Sequence, residues 1–223
     1  EKKYTLRQLM NIEIPWNTWG NFGINLALGN TLDKAITSEE YMYLPDYVYK
    51  AFKRAKKTKN SKSISLIKNE NILLHFKEKE IKTQWYNPFF IFSIILLLTL
   101  VITYRDQKRN KRSKWVDFSL FFVTGLVGLL ICFLWFFTDH FTAPNNFHFL
   151  WAFAPNICIS FVLLKKKLPS WVSKYIKGYL LMLSLTIVVS VIGIQQFSFA
   201  VLPVIATLFV RNFYLYKLLT SKK

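Results

Sequence analysis

The sequence predicts a mainly α-helical polytopic membrane protein, with about five transmembrane helices after a small, incomplete α+β extracytoplasmic segment. Of its 223 residues, 52% are apolar and 17% are aromatic. These apolar residues are concentrated in long runs after Pro88, whereas residues 1–87 are mixed and polar. About 87 residues with so few apolar positions bury a small core, so residues 1–87 are interpreted as the end of a larger domain. Residues 88–223 are interpreted as the membrane domain.

Five apolar stretches are long enough to approach the length of about 20 residues that a helix needs to cross a bilayer. We predict spans at about residues 88–104, 115–137, 147–164, 175–194 and 197–215. The third stretch contains Pro155 and Asn156, and a break in the helix there requires neighbouring groups that satisfy the freed backbone. The fifth stretch contains Arg211, whose head group is expected to extend to the membrane interface.

Loop charges predict the orientation of these spans. Basic residues follow the first, third and fifth spans, whereas residues 138–146 and 195–196 contain no Lys or Arg. The predicted location is therefore the bacterial cytoplasmic membrane, with the N-terminal part extracytoplasmic and the C-terminus in the cytoplasm. An extracytoplasmic N-terminal part needs an export signal, which we expect in additional upstream sequence.

Local signals predict several elements before the first span. Thr5 is placed to cap a helix that begins with Leu6, and Pro45 is placed in the first turn of another helix. Residues 63–77 alternate loosely around two asparagines and suggest a β-hairpin.

The net charge of +18 does not by itself indicate a nucleic acid partner, because the basic residues are divided among the polar part and the loops of one predicted side. The expected partner is membrane lipid. The two cysteines, Cys132 and Cys158, lie in apolar runs and form no metal-binding or disulfide pattern, so we expect neither a cofactor nor a metal. Asp117, just inside the second span, is expected to pair with Arg112 or Lys114.

The loop between the second and third spans carries the candidate site residues. Asp139 and His140 lie where the second span reaches the outer surface, and His140 oriented by Asp139 is a candidate acid or base. Five further residues are candidates for contact with lipid or for support of the site: Thr142, Asn145, Asn146, His148 and Trp151. The alternative is structural, because Asp, Thr and Asn commonly cap helices and close turns. The residues alone support no catalytic motif.

Two stretches resemble the family of Lnb-type proteins, which are related to the lipoprotein intramolecular transacylase. Residues 4–10, YTLRQLM, and the segment from Pro15 to Phe52 are similar to the end of that family's extracytoplasmic domain, with its T-F-R-Q-L, P-W-G and F-L-P-D patterns. Residues 138–151, TDHFTAPNNFHFLW, resemble a T-D-H…N-L-L-W segment of its five-span domain. The chain departs from the pattern at His148, where the family has Asn.

The resemblance implies a cysteine-and-histidine catalytic domain that acts on the acyl chains of lipoproteins at the outer membrane face. In the family, that Cys and His precede the T-F-R-Q-L segment. The chain is therefore expected to be the membrane-anchored portion of an acyl-transfer or hydrolase-like protein, and to be inactive alone. The alternatives are a non-catalytic anchor or scaffold and a transporter subunit.

Overall fold

The structure, a computed structural model, describes residues 4–37, 39–59, 62–76 and 84–221. In the polar part, the elements are α1 (Leu6–Glu13), α2 (Trp19–Ala27), α3 (Pro45–Arg54), β1 (Lys56–Lys59) and β2 (Lys62–Ser65). In the membrane part, they are α4 (Pro88–Arg109), α5 (Lys114–Phe136), α6 (Asn156–Leu163), α7 (Trp171–Val191) and α8 (Val201–Thr220). The predicted mainly helical fold is confirmed.

Both helix starts predicted in the polar part are present. The Thr5 side chain accepts a hydrogen bond from the Gln8 backbone, and the Gln8 side chain accepts one from the Thr5 backbone, so the two residues form a capping box. Pro45 is the first residue of α3, where its missing N–H has no intrahelical partner to lose.

The β-hairpin lies earlier in the chain than predicted. β1 and β2 pair antiparallel with Lys57 opposite Ile64, whereas residues 66–76 form no strand and Lys77 lies outside the described residues. The prediction of a hairpin over residues 63–77 was therefore wrong in its position along the chain. The described side chains of both strands are exposed. Because neither strand has a buried face, a hydrophobic pattern in the sequence does not specify which residues pair.

Four helices of the described chain are long and apolar enough to cross a membrane: α4, α5, α7 and α8. They correspond to the first, second, fourth and fifth predicted spans. α8 packs along both α4 and α7, and α5 packs along α6. We call the end of this bundle nearest α2 the junction end.

The third predicted span is an interrupted crossing rather than one long helix. It consists of a 3₁₀ turn at Phe147–Leu150 followed by the short helix α6, with Pro155 immediately before α6. Its first part contacts α2, since Asn146 donates to the Leu26 carbonyl, and its last part lies at the opposite end, where Arg112 donates to the Leu163 carbonyl. The segment therefore runs the length of the bundle.

Side chains of α7 supply hydrogen-bond partners at the break in the helix, as expected from Pro155. The Tyr179 hydroxyl of α7 donates to the Trp151 carbonyl, and the Tyr175 hydroxyl donates to the Asn156 side chain at 2.6 Å. The interrupted backbone lies directly against α5, where a Cβ at Gly128 would lie 2.1 Å from the Ala152 carbonyl oxygen. Glycine is thus required at this close approach.

Paired charges hold the opposite end, where α4 and α8 finish and α5 and α7 begin, and which we call the basic end. Arg211 of α8 is fully buried and contacts Asp117 of α5 at 2.6 Å and Asp106 of α4 at 2.8 Å. Arg112 also contacts Asp117, at 3.1 Å, as predicted. The expectation that Arg211 extends to the interface was wrong, because α8 continues to Thr220 and two carboxylates meet the guanidinium inside the bundle.

Candidate functional site

The polar part docks on the membrane bundle through the backbone that follows α2. The Gly29 N–H donates to the Thr142 carbonyl at 2.8 Å, and the Asn30 N–H donates to the Asn145 carbonyl at 3.2 Å. The approach is so close that a Cβ at Gly29 would lie 1.9 Å from the Pro144 carbonyl oxygen. Asn145 has a φ of 55°, in the left-handed region that Asn tolerates better than most residues. The loop after α5 is therefore shaped to receive this backbone.

Two buried amide side chains fasten the end of α2 to the bundle. Asn146 Nδ2 donates to the Leu26 carbonyl at 2.8 Å, and Gln195 Nε2 donates to the Leu28 carbonyl at 3.2 Å. The last carbonyls of a helix have no intrahelical donor, so these side chains supply the missing partners. Gln195 also contacts Asn146 Oδ1 and accepts from the Phe147 N–H. We call Asn146 and Gln195 the amide clamp.

Arg7 supports the same segment from the other side. Its side chain is buried, and it donates to the Leu28 and Gly29 carbonyls and to the Asn25 side chain while pairing with Asp33 at 2.8 Å. Burial raises the pKa of Asp33, and the charge and hydrogen bond of Arg7 oppose that rise. The backbone at residues 28–29 is thus held between Arg7 and the amide clamp.

Below the clamp, His148 and Trp151 form a buried pair. Trp151 Nε1 donates to His148 Nδ1 at 2.8 Å, so Nδ1 is unprotonated and Nε2 carries the proton of the neutral ring. His148 Nε2 lies near the Asn25 backbone carbonyl without a well-formed hydrogen bond. Since both ring nitrogens are enclosed, this histidine positions Trp151.

Trp151 and α2 cover a cleft of about 300 Å³ between the membrane helices. α4, α5 and α8 form its walls, and Phe22 and Leu26 of α2 form its cover together with Trp151. The wall residues are Phe92 and Ile95 of α4; Ser119, Leu120, Val123, Thr124 and Val127 of α5; and Val204, Thr207 and Leu208 of α8. The cleft therefore begins under the polar part and lies among transmembrane helices.

The chemistry of this cleft suits a hydrocarbon chain. Its two threonines are satisfied within their own helices, since Thr124 donates to the Leu120 carbonyl and Thr207 to the Pro203 carbonyl, each at 2.7 Å. No charged side chain lines it. An apolar space at membrane depth is favourable for lipid tails and unfavourable for polar ligands.

A family model described as the Lnb transmembrane domain matches residues 79–223. The chain belongs to this family. The name of the model specifies five transmembrane helices, in agreement with four long helices and the interrupted crossing. Comparisons with curated proteins and with solved structures give no significant match. The Lnb assignment thus confirms the predicted membrane portion and covers all the walls of the cleft.

Within this Lnb domain, the structure separates the residues predicted for the loop. It brings together Asn146, His148 and Trp151, all buried beneath α2. Asp139 and His140 are exposed, and no hydrogen bond or ion pair joins their side chains in the described part of the chain. Their catalytic role stays a prediction.

Thr142 and Asn145 contribute backbone carbonyls to the docking. The two cysteines, Cys132 and Cys158, are free thiols of the membrane helices α5 and α6. Across residues 4–37, 39–59, 62–76 and 84–221, no group of three His, Cys, Asp or Glu residues could hold a metal ion.

Sequence reasoning missed Arg7, Gly29 and Gln195. Arg7 lies within the YTLRQLM stretch, where nothing in the local sequence indicates a buried arginine. Gln195 had a usable signal, because Gln195 and Gln196 form a short polar pair between two apolar spans. Two uncharged amides there indicate a polar partner close to the membrane surface, although they do not identify that partner.

Proposed function

We propose that this chain is the membrane-anchored portion of an extracytoplasmic acyl-transfer protein that acts on lipoproteins, and that its cleft holds one acyl chain beneath the catalytic domain. The catalytic cysteine and histidine belong to the upstream part of the parent protein. The junction end faces the extracytoplasmic side, as the loop charges predict.

The residues that cover the cleft are the main support for this proposal. An acyl chain that lies between α4 and α5 ends beneath Phe22 and Leu26, which belong to the polar part rather than to the bundle. Arg7 and the amide clamp fix α2 in this position. The reactive carbonyl end of the lipid would therefore meet the domain that precedes α1. Each methylene held in an apolar cleft contributes on the order of 0.8 kcal/mol, and such binding away from the reacting bond can position that bond.

The charges of the bundle do not favour the transporter alternative. Asp106 and Asp117 are both paired with Arg211, and Asp117 is also paired with Arg112. A proton or ion pathway requires a carboxylate that exchanges its partner, whereas these carboxylates join helices in a saturated, charge-balanced network.

The decisive experiment measures acyl transfer by the complete parent protein on a diacylated lipopeptide in phospholipid vesicles. Ile95→Trp fills the cleft, and Ile94→Trp is the matched control, because these adjacent isoleucines are 40% and 39% exposed but only Ile95 lines the cleft. We expect Ile95→Trp to lower the rate at least about tenfold, and Ile94→Trp to change it less than about twofold. The chain expressed alone should insert in membranes and show no turnover.

A photoreactive phospholipid separates acyl binding from simple anchoring. With a diazirine in its acyl chain, it should label the residues that line the cleft, and Ile95→Trp should abolish this labelling. Uniform labelling of every lipid-facing helix surface, together with normal activity of Ile95→Trp, would favour the scaffold alternative and contradict the proposal.

A further inference from the structure

A second cavity lies at the basic end, on the far side of the bundle from the acyl cleft. Its volume is about 610 Å³, and it lies between the α4–α5 loop, the α6–α7 loop and the end of α8. Five basic residues line it: Lys111, Arg112, Lys114, Lys166 and Lys167. No acidic residue lines it. The cavity therefore concentrates positive charge from two separate loops.

The neighbouring ion pairs leave most of this charge uncompensated. Asp106 and Asp117 are the nearby carboxylates; Asp106 pairs with Arg211, and Asp117 pairs with both Arg211 and Arg112. Within the described residues, none of the four lysines forms an ion pair. Four lysines without carboxylate partners around one cavity give it a positive potential that favours a bound anion.

Arg112 gives the cavity a fixed shape. Its guanidinium donates to the carbonyls of Leu163 and Lys165, at 2.8 and 2.9 Å, while it pairs with Asp117. These bonds tie the α4–α5 loop to the start of the α6–α7 loop. The backbone of the two loops that carry the lysines is thus held in place before any ligand binds, which lowers the ordering cost of binding.

One helix start adds to the positive potential. α7 begins at Trp171 with no acidic residue in its first turn, and the preceding Ser170 does not cap the helix with a side-chain hydrogen bond. Free N–H groups and the helix dipole favour an anion at such an end. The start of α5 differs, because Asp117 lies in its first turn and Asp106 accepts from the Ser113 N–H.

The remaining lining and its surroundings indicate a lipid. Leu168, Leu218 and Leu219 form an apolar side next to the lysines. Trp115 and Trp171 are exposed at the starts of α5 and α7, where indole rings typically mark the level of the lipid headgroups. We propose that this cavity binds the phosphate of an anionic membrane phospholipid, with its glycerol and upper chains against the leucines. This site is separate from the proposed acyl-transfer function and does not depend on it.

The test uses the full chain in phosphatidylcholine mixed micelles titrated with phosphatidylglycerol, with the melting temperature as the readout. We expect a saturable rise, because a ligand that binds only the folded state stabilises it. Lys166→Gln combined with Lys167→Gln should weaken the apparent affinity at least about tenfold. Lys174→Gln combined with Lys177→Gln removes the same charge from exposed positions outside the cavity, and it should change the affinity less than about twofold.

Three outcomes would overturn the proposal or part of it. Equal weakening by both double variants would mean that the lipid responds only to overall charge. The absence of any saturable rise would mean that the cavity binds no phosphatidylglycerol. Millimolar inorganic phosphate, added without phosphatidylglycerol, is expected to have little effect. If it stabilises the chain equally and through the same two lysines, the site binds a free phosphate rather than a lipid.

Discussion

Amide side chains of the bundle bind the polar part at the junction end, whereas paired charges join the membrane helices at the basic end. At the junction end, Asn146 and Gln195 donate to backbone carbonyls of the polar part. At the basic end, Arg211 joins carboxylates from two helices, and its side chain is fully buried. Leaving a buried neutral amide without its partner lowers the unfolding free energy by about 1–3 kcal/mol, whereas leaving a buried charge unpaired lowers it by more. Loss of one partner is therefore more costly at the basic end than at the junction end. The weaker bonds of the junction end are better suited to the contact between the polar part and the bundle.

The largest expected effect is at the basic end. Arg211→Met leaves Asp106 and Asp117 facing each other without their shared cation, so we expect a loss of about 3–5 kcal/mol in unfolding free energy. Thermal unfolding of the purified chain in detergent measures this loss. Lys217→Met on the exposed side of α8 is the control, and an equal decrease for the two variants would show that the ion pairs are not what holds this end.

The second expected effect is at the junction. Gly29→Ala places a methyl group against the Pro144 carbonyl, and we expect a loss of about 1–3 kcal/mol as the loop and the polar part move apart. Hydrogen exchange of α2 reports this separation directly. Gly23→Ala in α2 meets no atom within 4 Å and should protect the helix slightly. Faster exchange in Gly23→Ala than in Gly29→Ala would contradict the assigned role of Gly29.

The contrast between the two ends also explains what the sequence could predict. Thr5, Pro45 and the pairing of Arg112 with Asp117 involve partners within a few residues, and the structure confirms all three. Arg211 and Asp117 are 94 positions apart, and which helices meet is decided by packing that no spacing rule encodes. A charged residue near the end of an apolar run therefore predicts an Arg211 at the membrane interface, whereas the structure places Arg211 inside the bundle, paired with two carboxylates.

The junction followed the same pattern. The polar residues of the loop at residues 138–151 mark it as a candidate site, but the adjacent Asp139 and His140 are a stronger signal in sequence than Asn146. The importance of Asn146 comes from its hydrogen bond to the Leu26 carbonyl, and these two residues are 120 positions apart in the sequence. The walls of the cleft beneath it are mostly apolar side chains from three helices, and in sequence these apolar residues look the same as ordinary lipid-facing residues.

The third prediction measures the coupling inside the amide clamp. Asn146→Ala and Gln195→Ala should each destabilise docking of the polar part, because Asn146→Ala leaves the Leu26 carbonyl without its donor and Gln195→Ala leaves the Phe147 N–H without its acceptor. Since the two amides also contact each other at 3.2 Å, the double variant should differ from the sum of the single variants by about 0.5–1.5 kcal/mol. Strict additivity in thermal unfolding would mean that they act as two independent contacts.

The smallest expected effect is at the exposed part of the same loop. Asp139 and His140 are exposed and make no side-chain hydrogen bond to each other in the described chain, so neither is held in a geometry for proton transfer. We expect His140→Gln in the complete parent protein to leave both the melting temperature and the activity per folded molecule within about twofold of the wild-type values. Asn146→Ala, six positions further along, should lower the melting temperature by loosening the cover of the cleft. A decrease of at least about tenfold in the specific activity of His140→Gln, at normal stability, would instead give the loop a direct role in acyl transfer, with the histidine ordered by the substrate or by the upstream domain.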